Sequence, residues 1–304
     1  MRWNQSELIR SYQSNTSTNL YTPHVVQKPI EMYVFINLLC PTSWSLEPYI
    51  KKLLLEYGKY ITIRPIINSH LHHIPTESIP SHQTNEPWST LPEKSTIVCD
   101  NDFGTMIPKI SPWLPSFAVK AAELQGKNAG RVFLRKVQER FFFQKKNIAD
   151  EKVLISCAVE ANLDIEEFKN DLYSAHAKKA YHCDLKLSKE MGVEHTPTIV
   201  FLNKYTEEHG IRLNGLYSYD IYVHILTKIL QKSPIPIEKP SLEEFLAHYK
   251  IVANKEIAIV FDWSLAQTAT EMKKLQLKQK VQKHPLIHGS YWEYIAEEKT
   301  PRQF

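Results

Sequence analysis

The sequence predicts a mixed α/β fold in which a strand-helix-strand unit and a later strand-helix pair share one sheet, with a block of helices between them. Residues 30–36 form an apolar run rich in β-formers, which is typical of a buried strand. Apolar side chains at steps of three and four over residues 46–57 then predict a helix, and residues 60–67 predict a second strand. A unit of this length favours parallel strands joined by a right-handed crossover.

Cys40 lies between the first strand and its helix, where the helix begins. The unpaired N–H groups and the dipole at a helix N-terminus can stabilise a thiolate and lower the pKa of a cysteine there. Far downstream, Thr196 and Pro197 stand where a later strand begins, after a helix that ends at Gly192. This pair resembles the cis-proline loop of thioredoxin-fold proteins, which faces the active-site cysteine. We therefore predict a thioredoxin-like domain of the disulfide-oxidoreductase A (DsbA) type.

The fourth position of the cysteine motif is Ser43, whereas a dithiol site needs a second cysteine there to resolve a mixed disulfide. Three interpretations stay open. Cys40 could serve a monothiol oxidoreductase that depends on glutathione. Ser43 or Ser45 could activate the glutathione thiol, as in kappa-class glutathione transferases and related isomerases. In the third interpretation the site has lost its redox chemistry, and the fold provides a docking surface.

Composition limits the class of protein. Of the 304 residues, 43% are hydrophobic and 23% are charged, which is ordinary for a globular protein, and a formal net charge of +4 is too small to indicate nucleic acid by itself. The N-terminus has no apolar signal segment and no stretch is long and apolar enough to span a bilayer, so we expect a cytoplasmic protein without a membrane partner. In that compartment all four cysteines are expected to be unpaired: Cys40, Cys99, Cys157 and Cys183.

The first 27 residues are polar and show no clear period, which predicts a mobile arm over residues 1–27. Pro65 within the second strand predicts an edge position or a bulge. Residues 68–96 contain four histidines among Pro, Ser, Thr and Glu. A metal site is one interpretation, but no ligand pair has a helical or finger spacing, so a solvated loop is favoured. Neither a metal nor a cofactor is expected.

A helical insertion is expected over about residues 112–190. Its predicted helices run from Ser116 to near Gly126, over about residues 128–146, from Asp150 onward, and from Asp164 toward Leu187. Two cysteines lie inside these helices, Cys157 and Cys183, and both are expected in the core or partly buried.

Three prolines within residues 233–240 predict an extended linker between two domains. The larger domain covers residues 28–232 and ends with a strand over about residues 210–216 and a helix over residues 219–230. The smaller domain covers residues 241–304.

The smaller domain resembles a winged-helix module because its helices are followed by a short β-turn region. A helix begins near Ser241, an apolar stretch covers residues 257–263, a basic helix covers about residues 270–283, and a final strand covers residues 291–295. The basic helix has lysines but no arginine, so nucleic acid is not an expected partner.

Residues 28–48, with Cys40, Pro41 and Trp44, resemble the opening of the YjbH (SpxH) family of low-GC Gram-positive bacteria. The resemblance extends over nearly the whole chain from about residue 28. It implies a DsbA-like domain, a small C-terminal domain, and the role of an adaptor that delivers the transcription regulator Spx to the ClpXP protease. This chain departs from the family pattern at Ser43, where many members have a second cysteine. Its first 27 residues also lack the cysteines that many members carry in a zinc-binding segment.

The resemblance therefore predicts a non-enzymatic adaptor, with Spx docking on the larger domain and ClpXP bound directly or through Spx. We expect the Spx contacts on the helical insertion, among exposed aromatic and basic residues near Arg135, Arg140 and Phe143, unless these three only pack or face solvent. The alternative is a glutathione-linked thiol oxidoreductase or a kappa-transferase-like isomerase that uses Cys40 or Ser43.

Overall fold

The computed structural model describes residues 28–69, 111–206, 210–286 and 289–295. The predicted N-terminal arm, Cys99 and nearly all of the histidine-containing segment 68–96 lie outside these residues. Among the described helices, none is both long enough and apolar enough to cross a membrane.

A four-stranded sheet has the order β2-β1-β3-β4 and consists of β1 (Ile30–Ile36), β2 (Ile61–Ile67), β3 (Thr198–Asn203) and β4 (Ile211–Asn214). Strand β1 pairs in parallel with β2 and antiparallel with β3, and β4 pairs antiparallel with β3. The predicted parallel pair is therefore confirmed. The strand that carries Pro65 lies at the edge of the sheet, as predicted. The physical reason is that proline has no N–H to donate to a second neighbouring strand.

Helices cover this sheet and form the block between β2 and β3. In chain order they are α1 (Pro41–Ser45), α2 (Glu47–Tyr57), α3 (Trp113–Leu124), α4 (Lys127–Phe142), α5 (Glu151–Glu160), α6 (Ile165–Leu172), α7 (Ala175–Glu190) and, after β4, α8 (Tyr219–Leu230). The last helix has the predicted bounds.

Two details of the insertion differ from the prediction. Helix α3 begins three residues before Ser116, whose hydroxyl lies inside the helix and donates to the carbonyl of Pro112 at 2.7 Å. The predicted helix from Asp164 toward Leu187 is two helices. They are separate because Ser174 caps α7, where its hydroxyl accepts from the N–H of Ala177 at 3.1 Å.

The two cysteines of the insertion have different environments. Cys157 is fully buried, as expected, and burial raises the pKa of its thiol to about 11. Cys183 is exposed because it lies on the outer face of α7, so the expectation that it is at least partly buried is wrong.

Residues 241–295, hereafter the C-terminal module, contain α9 (Leu242–Tyr249), β5 (Ile251–Ala253), α10 (Asn254–Phe261), α11 (Leu265–Leu277), β6 (Val281–Leu286) and β7 (Gly289–Tyr294). The three strands are antiparallel in the order β5-β7-β6. This element order is compatible with the winged helix, which stays a prediction. The predicted basic helix is shorter than expected: it ends before Gln279, which has a positive φ of 58°, and Lys283 lies in β6.

Candidate functional site

The thiol of Cys40 lies where β1 leads into α1. Cys40 is the residue before the first turn of α1, and its sulfur accepts from the N–H of Ser43 at 3.3 Å. The prediction that Cys40 stands at the start of a helix is therefore confirmed. Its sulfur also lies 3.9 Å from the carbonyl oxygen of Thr196, to which the S–H can donate weakly.

The loop of Thr196 precedes β3, and the peptide bond between Thr196 and Pro197 is cis. The fold therefore brings this loop against Cys40, although 156 positions separate the thiol from Thr196. The predicted pairing of the cysteine with the proline loop is observed.

The hydroxyl groups near the thiol are enclosed. Ser43 is 2% exposed and its oxygen accepts from the N–H of Asn37 at 3.4 Å. The hydroxyl of Ser45 is turned back to donate to the carbonyl of Pro41 at 2.9 Å. Cys40 itself is only 3% exposed. In this conformation neither the thiol nor the two hydroxyls face solvent where a glutathione molecule could reach them.

Trp44 connects α1 to the helical insertion. Its indole is fully buried, stacks on Phe142 with ring centroids 5.2 Å apart, and meets the edge of Phe143 at the same distance. The guanidinium carbon of Arg135 lies 4.3 Å from the centre of the Trp44 ring, which is a cation–π contact. The helix that carries the cysteine is thus fixed to α4 by an aromatic cluster and a cation.

The guanidinium of Arg135 continues from this cluster into the C-terminal module. It donates to Glu139 at 2.7 Å on its own helix, to the carbonyl of Ile251 at 3.0 Å, and to Glu256 at 3.2 Å. Its side chain is only 11% exposed. The expectation that Arg135 is an exposed residue is wrong, because the C-terminal module covers it.

Phe143 is likewise covered, with 4% of its surface exposed. Its ring stacks on that of Tyr291 in β7, with centroids 4.7 Å apart and planes inclined by 15°. The expectation of exposure is therefore also wrong for Phe143. Arg140 is the most exposed of the three predicted partner residues, and its guanidinium binds Glu160 and donates to Gln144 at 2.7 Å. Partner binding by this set stays a prediction.

Glu256, at the start of α10, is the acidic centre of the contact between the two parts of the chain. It is fully buried, and its carboxylate binds the ammonium of Lys51, the guanidinium of Arg135, and the N–H of Ala253 at 3.1 Å. Burial opposes ionisation of Glu256, but the two neighbouring cations outweigh it and hold the pKa of this carboxyl below its usual value. For Lys51, burial and the charge of Arg135 lower the pKa of the ammonium, which also lies 4.0 Å from the ring centre of Tyr249.

A second ionic group joins the segment after α8 to the same surface. The ammonium of Lys239 lies 2.9 Å from Glu56 and 2.6 Å from Asp262, and Asp262 also binds Lys52. The N–H of Ile237 donates to the backbone carbonyl of Glu56 at 2.8 Å. The prolines before α9 therefore belong to a segment that is held against α2.

No group of three or more potential metal ligands occurs within the described ranges. None of the three described cysteines forms a disulfide. Ser43 stands in place of a resolving cysteine, so Cys40 is an enclosed thiol without a cysteine at the fourth position of its own motif.

The sequence matches the thioredoxin family model over residues 33–224. It is 43% identical to the ClpXP adapter protein SpxH of Bacillus subtilis over 288 residues, which cover 93% of this chain and 96% of that protein. It is also 43% identical to the ClpXP adapter protein SpxH of Halalkalibacterium halodurans, over 88% of this chain and 90% of that protein. This chain belongs to the SpxH family. The predicted family and the thioredoxin-like fold are confirmed.

A solved structure, the cytosolic disulfide reductase DsbM from Pseudomonas aeruginosa, aligns with this SpxH-family chain over 66% of its length and 98% of that of DsbM. The sequence identity is 16% and the TM-score is 0.47.

The residues that sequence reasoning missed in this member of the SpxH family are those that join its two parts. Lys51 and Glu256 belong to no recognisable motif, and Glu256 stands one residue before the apolar stretch 257–263. The one available signal was the presence of a basic and an acidic residue on otherwise apolar helix faces. Charged residues are rarely buried unless they are paired, so these two positions could have indicated a buried ion pair.

Proposed function

We propose that this protein is an adaptor that binds Spx and promotes its degradation by the ClpXP protease. The observation that carries the proposal is the high identity to proteins called ClpXP adapter protein SpxH, over about nine-tenths of both chains. An adaptor holds its substrate close to the unfoldase and so raises the effective concentration of a weakly recognised segment. The proposal includes the predicted cytoplasmic location.

The geometry around Cys40 supports a role without catalysis. A thiol enzyme needs a thiolate that its substrate can reach, whereas Cys40 is almost fully enclosed and has Ser43 in place of a resolving thiol. Adaptor work requires surfaces, and an enclosed thiol does not interfere with it. The predicted alternative, a glutathione-linked enzyme, would require glutathione to reach Cys40 or Ser43, which are both enclosed.

We propose that the chain is divided into four parts. They are an arm over residues 1–27, a larger domain over residues 28–232, a linker over residues 233–240 and a small domain over residues 241–304. Contacts of Arg135 and Phe143 with the C-terminal module support an indirect role for these two residues, in which they fix the small domain relative to the large one. Arg140 remains a candidate for direct contact with Spx.

Reconstituted degradation of Spx by ClpXP tests the proposal, with no adaptor, with the wild-type chain and with Cys40→Ala. We expect the wild type and Cys40→Ala to accelerate degradation equally. If the wild-type chain does not accelerate it, the proposal is wrong.

A glutathione-dependent transhydrogenase assay on the wild-type chain, Cys40→Ala and Ser43→Ala tests the enzyme alternative. Turnover that is lost in Cys40→Ala or in Ser43→Ala would support the enzyme. We expect no turnover above the uncatalysed rate for any of the three proteins.

A further inference from the structure

The outer face of α7 concentrates positive charge. Four exposed lysines and two exposed histidines occupy this helix, and they are His176, Lys178, Lys179, His182, Lys186 and Lys189. Of the two acidic residues of α7, Asp184 points inward to Lys120 at 2.5 Å, so Glu190 is the only acidic residue of this helix on the exposed side.

Most of these lysines form no ion pair within the part of the chain that the structure describes. Lys186 lies 3.6 Å from Glu190, whereas Lys178, Lys179 and Lys189 form no ion pair with any described residue. Like charges at helical spacing repel one another and weaken the helix slightly. They also create a positive potential that an acidic partner can neutralise.

An aromatic side chain borders this basic face. Trp113, the first residue of α3, is 42% exposed, and its ring meets the buried Tyr181 of α7 edge to face at 5.9 Å. The ring of His182 is 6.4 Å from that of Tyr181, and its Nδ1 lies 3.2 Å from the carbonyl of Lys178. In protein interfaces, a tryptophan surrounded by charged residues often anchors the partner by burying its ring.

We propose that the outer face of α7 together with Trp113, hereafter the basic face, docks an acidic segment of the protein that the adaptor delivers. An apolar side chain of that segment packs on Trp113, and its carboxylates lie along the lysines. The inference rests on the proposed function and adds the chemistry of the substrate and the place where it binds.

The same surface is poorly suited to a nucleic acid. Helix α7 has no arginine for bidentate phosphate contacts, and Arg212, beside the end of this helix, already donates to the carbonyl of Gly192 at 3.0 Å. The adjacent helix α6 exposes Glu166 and Glu167. These carboxylates repel a long polyanion that continues past α7, whereas a short acidic segment ends before it reaches them.

Binding of purified Spx to the full chain, measured by titration calorimetry at 50 and 300 mM NaCl, tests the basic face. One variant reverses the charge of α7: Lys178→Glu, Lys179→Glu, Lys186→Glu and Lys189→Glu. The matched control makes the same net charge change on exposed lysines of the C-terminal module: Lys273→Glu, Lys274→Glu, Lys278→Glu and Lys283→Glu. At 50 mM NaCl we expect the α7 variant to bind at least about tenfold more weakly and the control to change less than about threefold. Higher salt should reduce the difference.

The aromatic anchor is tested by Trp113→Ala, with Leu277→Ala as the control at another exposed apolar residue. We expect about tenfold weaker binding for Trp113→Ala and no change for Leu277→Ala. Circular dichroism and the urea midpoint identify any variant that fails to fold, and single Lys→Glu variants then replace it.

The outcomes separate this inference from the proposed function. If the α7 variant and its control lose equal affinity for Spx, the effect is due to net charge and the inference is overturned. Unchanged affinity of both variants would also overturn it. In either case the proposed function stands if the wild type still accelerates Spx degradation. If the wild type binds no Spx, both fail. If the wild type binds a 20-base-pair DNA duplex through the α7 lysines while Spx binding is unaffected by their reversal, the surface belongs to nucleic acid and the inference is wrong.

Discussion

Replacing Glu256 by glutamine keeps the volume of the side chain and removes the negative charge between Lys51 and Arg135. In the native protein the carboxylate binds both cations in a site without solvent exposure. Glutamine can still accept hydrogen bonds, but two positive charges then lie buried close together. Removing one member of a buried ion pair costs about 3–5 kcal/mol, since the remaining charge is left without compensation.

The loss should fall near the lower limit of that range, about 3 kcal/mol. Arg135 keeps Glu139 at 2.7 Å, so Lys51 carries most of the uncompensated charge. Burial already lowers the pKa of Lys51, and this ammonium can lose its proton when Glu256 is neutral, which limits the cost.

Urea unfolding followed by tryptophan fluorescence measures this loss. Glu190→Gln is the control, because Glu190 forms an exposed pair with Lys186 at 3.6 Å and should cost less than about 0.5 kcal/mol. Adding Lys51→Met to Glu256→Gln should restore part of the stability, since it removes the buried charge that lost its partner. If Glu256→Gln lowers the free energy of unfolding no more than Glu190→Gln does, the account of this contact as a buried ionic centre is wrong.

Three further predictions concern acid stability, the tryptophan and the thiols. The native pKa of Glu256 is below its ordinary value of 4.5, so the contribution of this carboxylate to stability is complete above pH 4.5 and is lost as the pH falls through the native pKa. The difference in unfolding free energy between the wild type and Glu256→Gln should therefore shrink in urea titrations at acid pH. A difference that grows in acid would contradict the direction of this pKa shift. Trp44→Ala should lower the free energy of unfolding in urea by about 3–5 kcal/mol, because the indole of Trp44 is fully buried. Trp113→Ala should lower it by less than about 1 kcal/mol, because Trp113 is partly exposed. Similar losses for the two variants would refute the packing argument. Iodoacetamide labelling followed by peptide mass spectrometry should modify the exposed Cys183 well before the buried Cys40 and Cys157. The thiol of Cys157 is also protected by its pKa of about 11. Early labelling of Cys40 would show that its thiol is accessible.

Local sequence signals predicted those elements whose determinants lie within a few neighbouring residues. The apolar run of β1 and the helical spacing of α8 gave correct bounds, and Asp150 and Asp164 cap the helices that they were expected to start. Two helix boundaries of the insertion were predicted wrongly, because a serine can lie inside a helix as well as cap its start. Ser116 and Ser174 are both potential caps, and only the second lies at a helix end, because preceding residues already form the first turn of α3.

The candidate site was predicted in part. The position of Cys40 at a helix start follows from the strand and helix patterns on either side of it. The enclosure of Cys40 and Ser43 does not follow from those patterns, since it depends on how Trp44 packs against α4. The exposure expected for Arg135 was wrong for the same kind of reason, because the C-terminal module that covers it lies more than 100 residues further along the chain.

By itself the sequence determined the four strands of the larger domain, the thioredoxin-like class, the SpxH family and the absence of a resolving cysteine at Ser43. These properties depend on residue types at short spacing or on similarity along the whole chain. Only the tertiary structure decided that Cys40 and Ser43 are enclosed, that Lys51 and Arg135 are buried around Glu256, and that the lysines of α7 face outward. The physical reason is that burial and charge pairing are set by segments that are distant in sequence and become neighbours only when the chain folds.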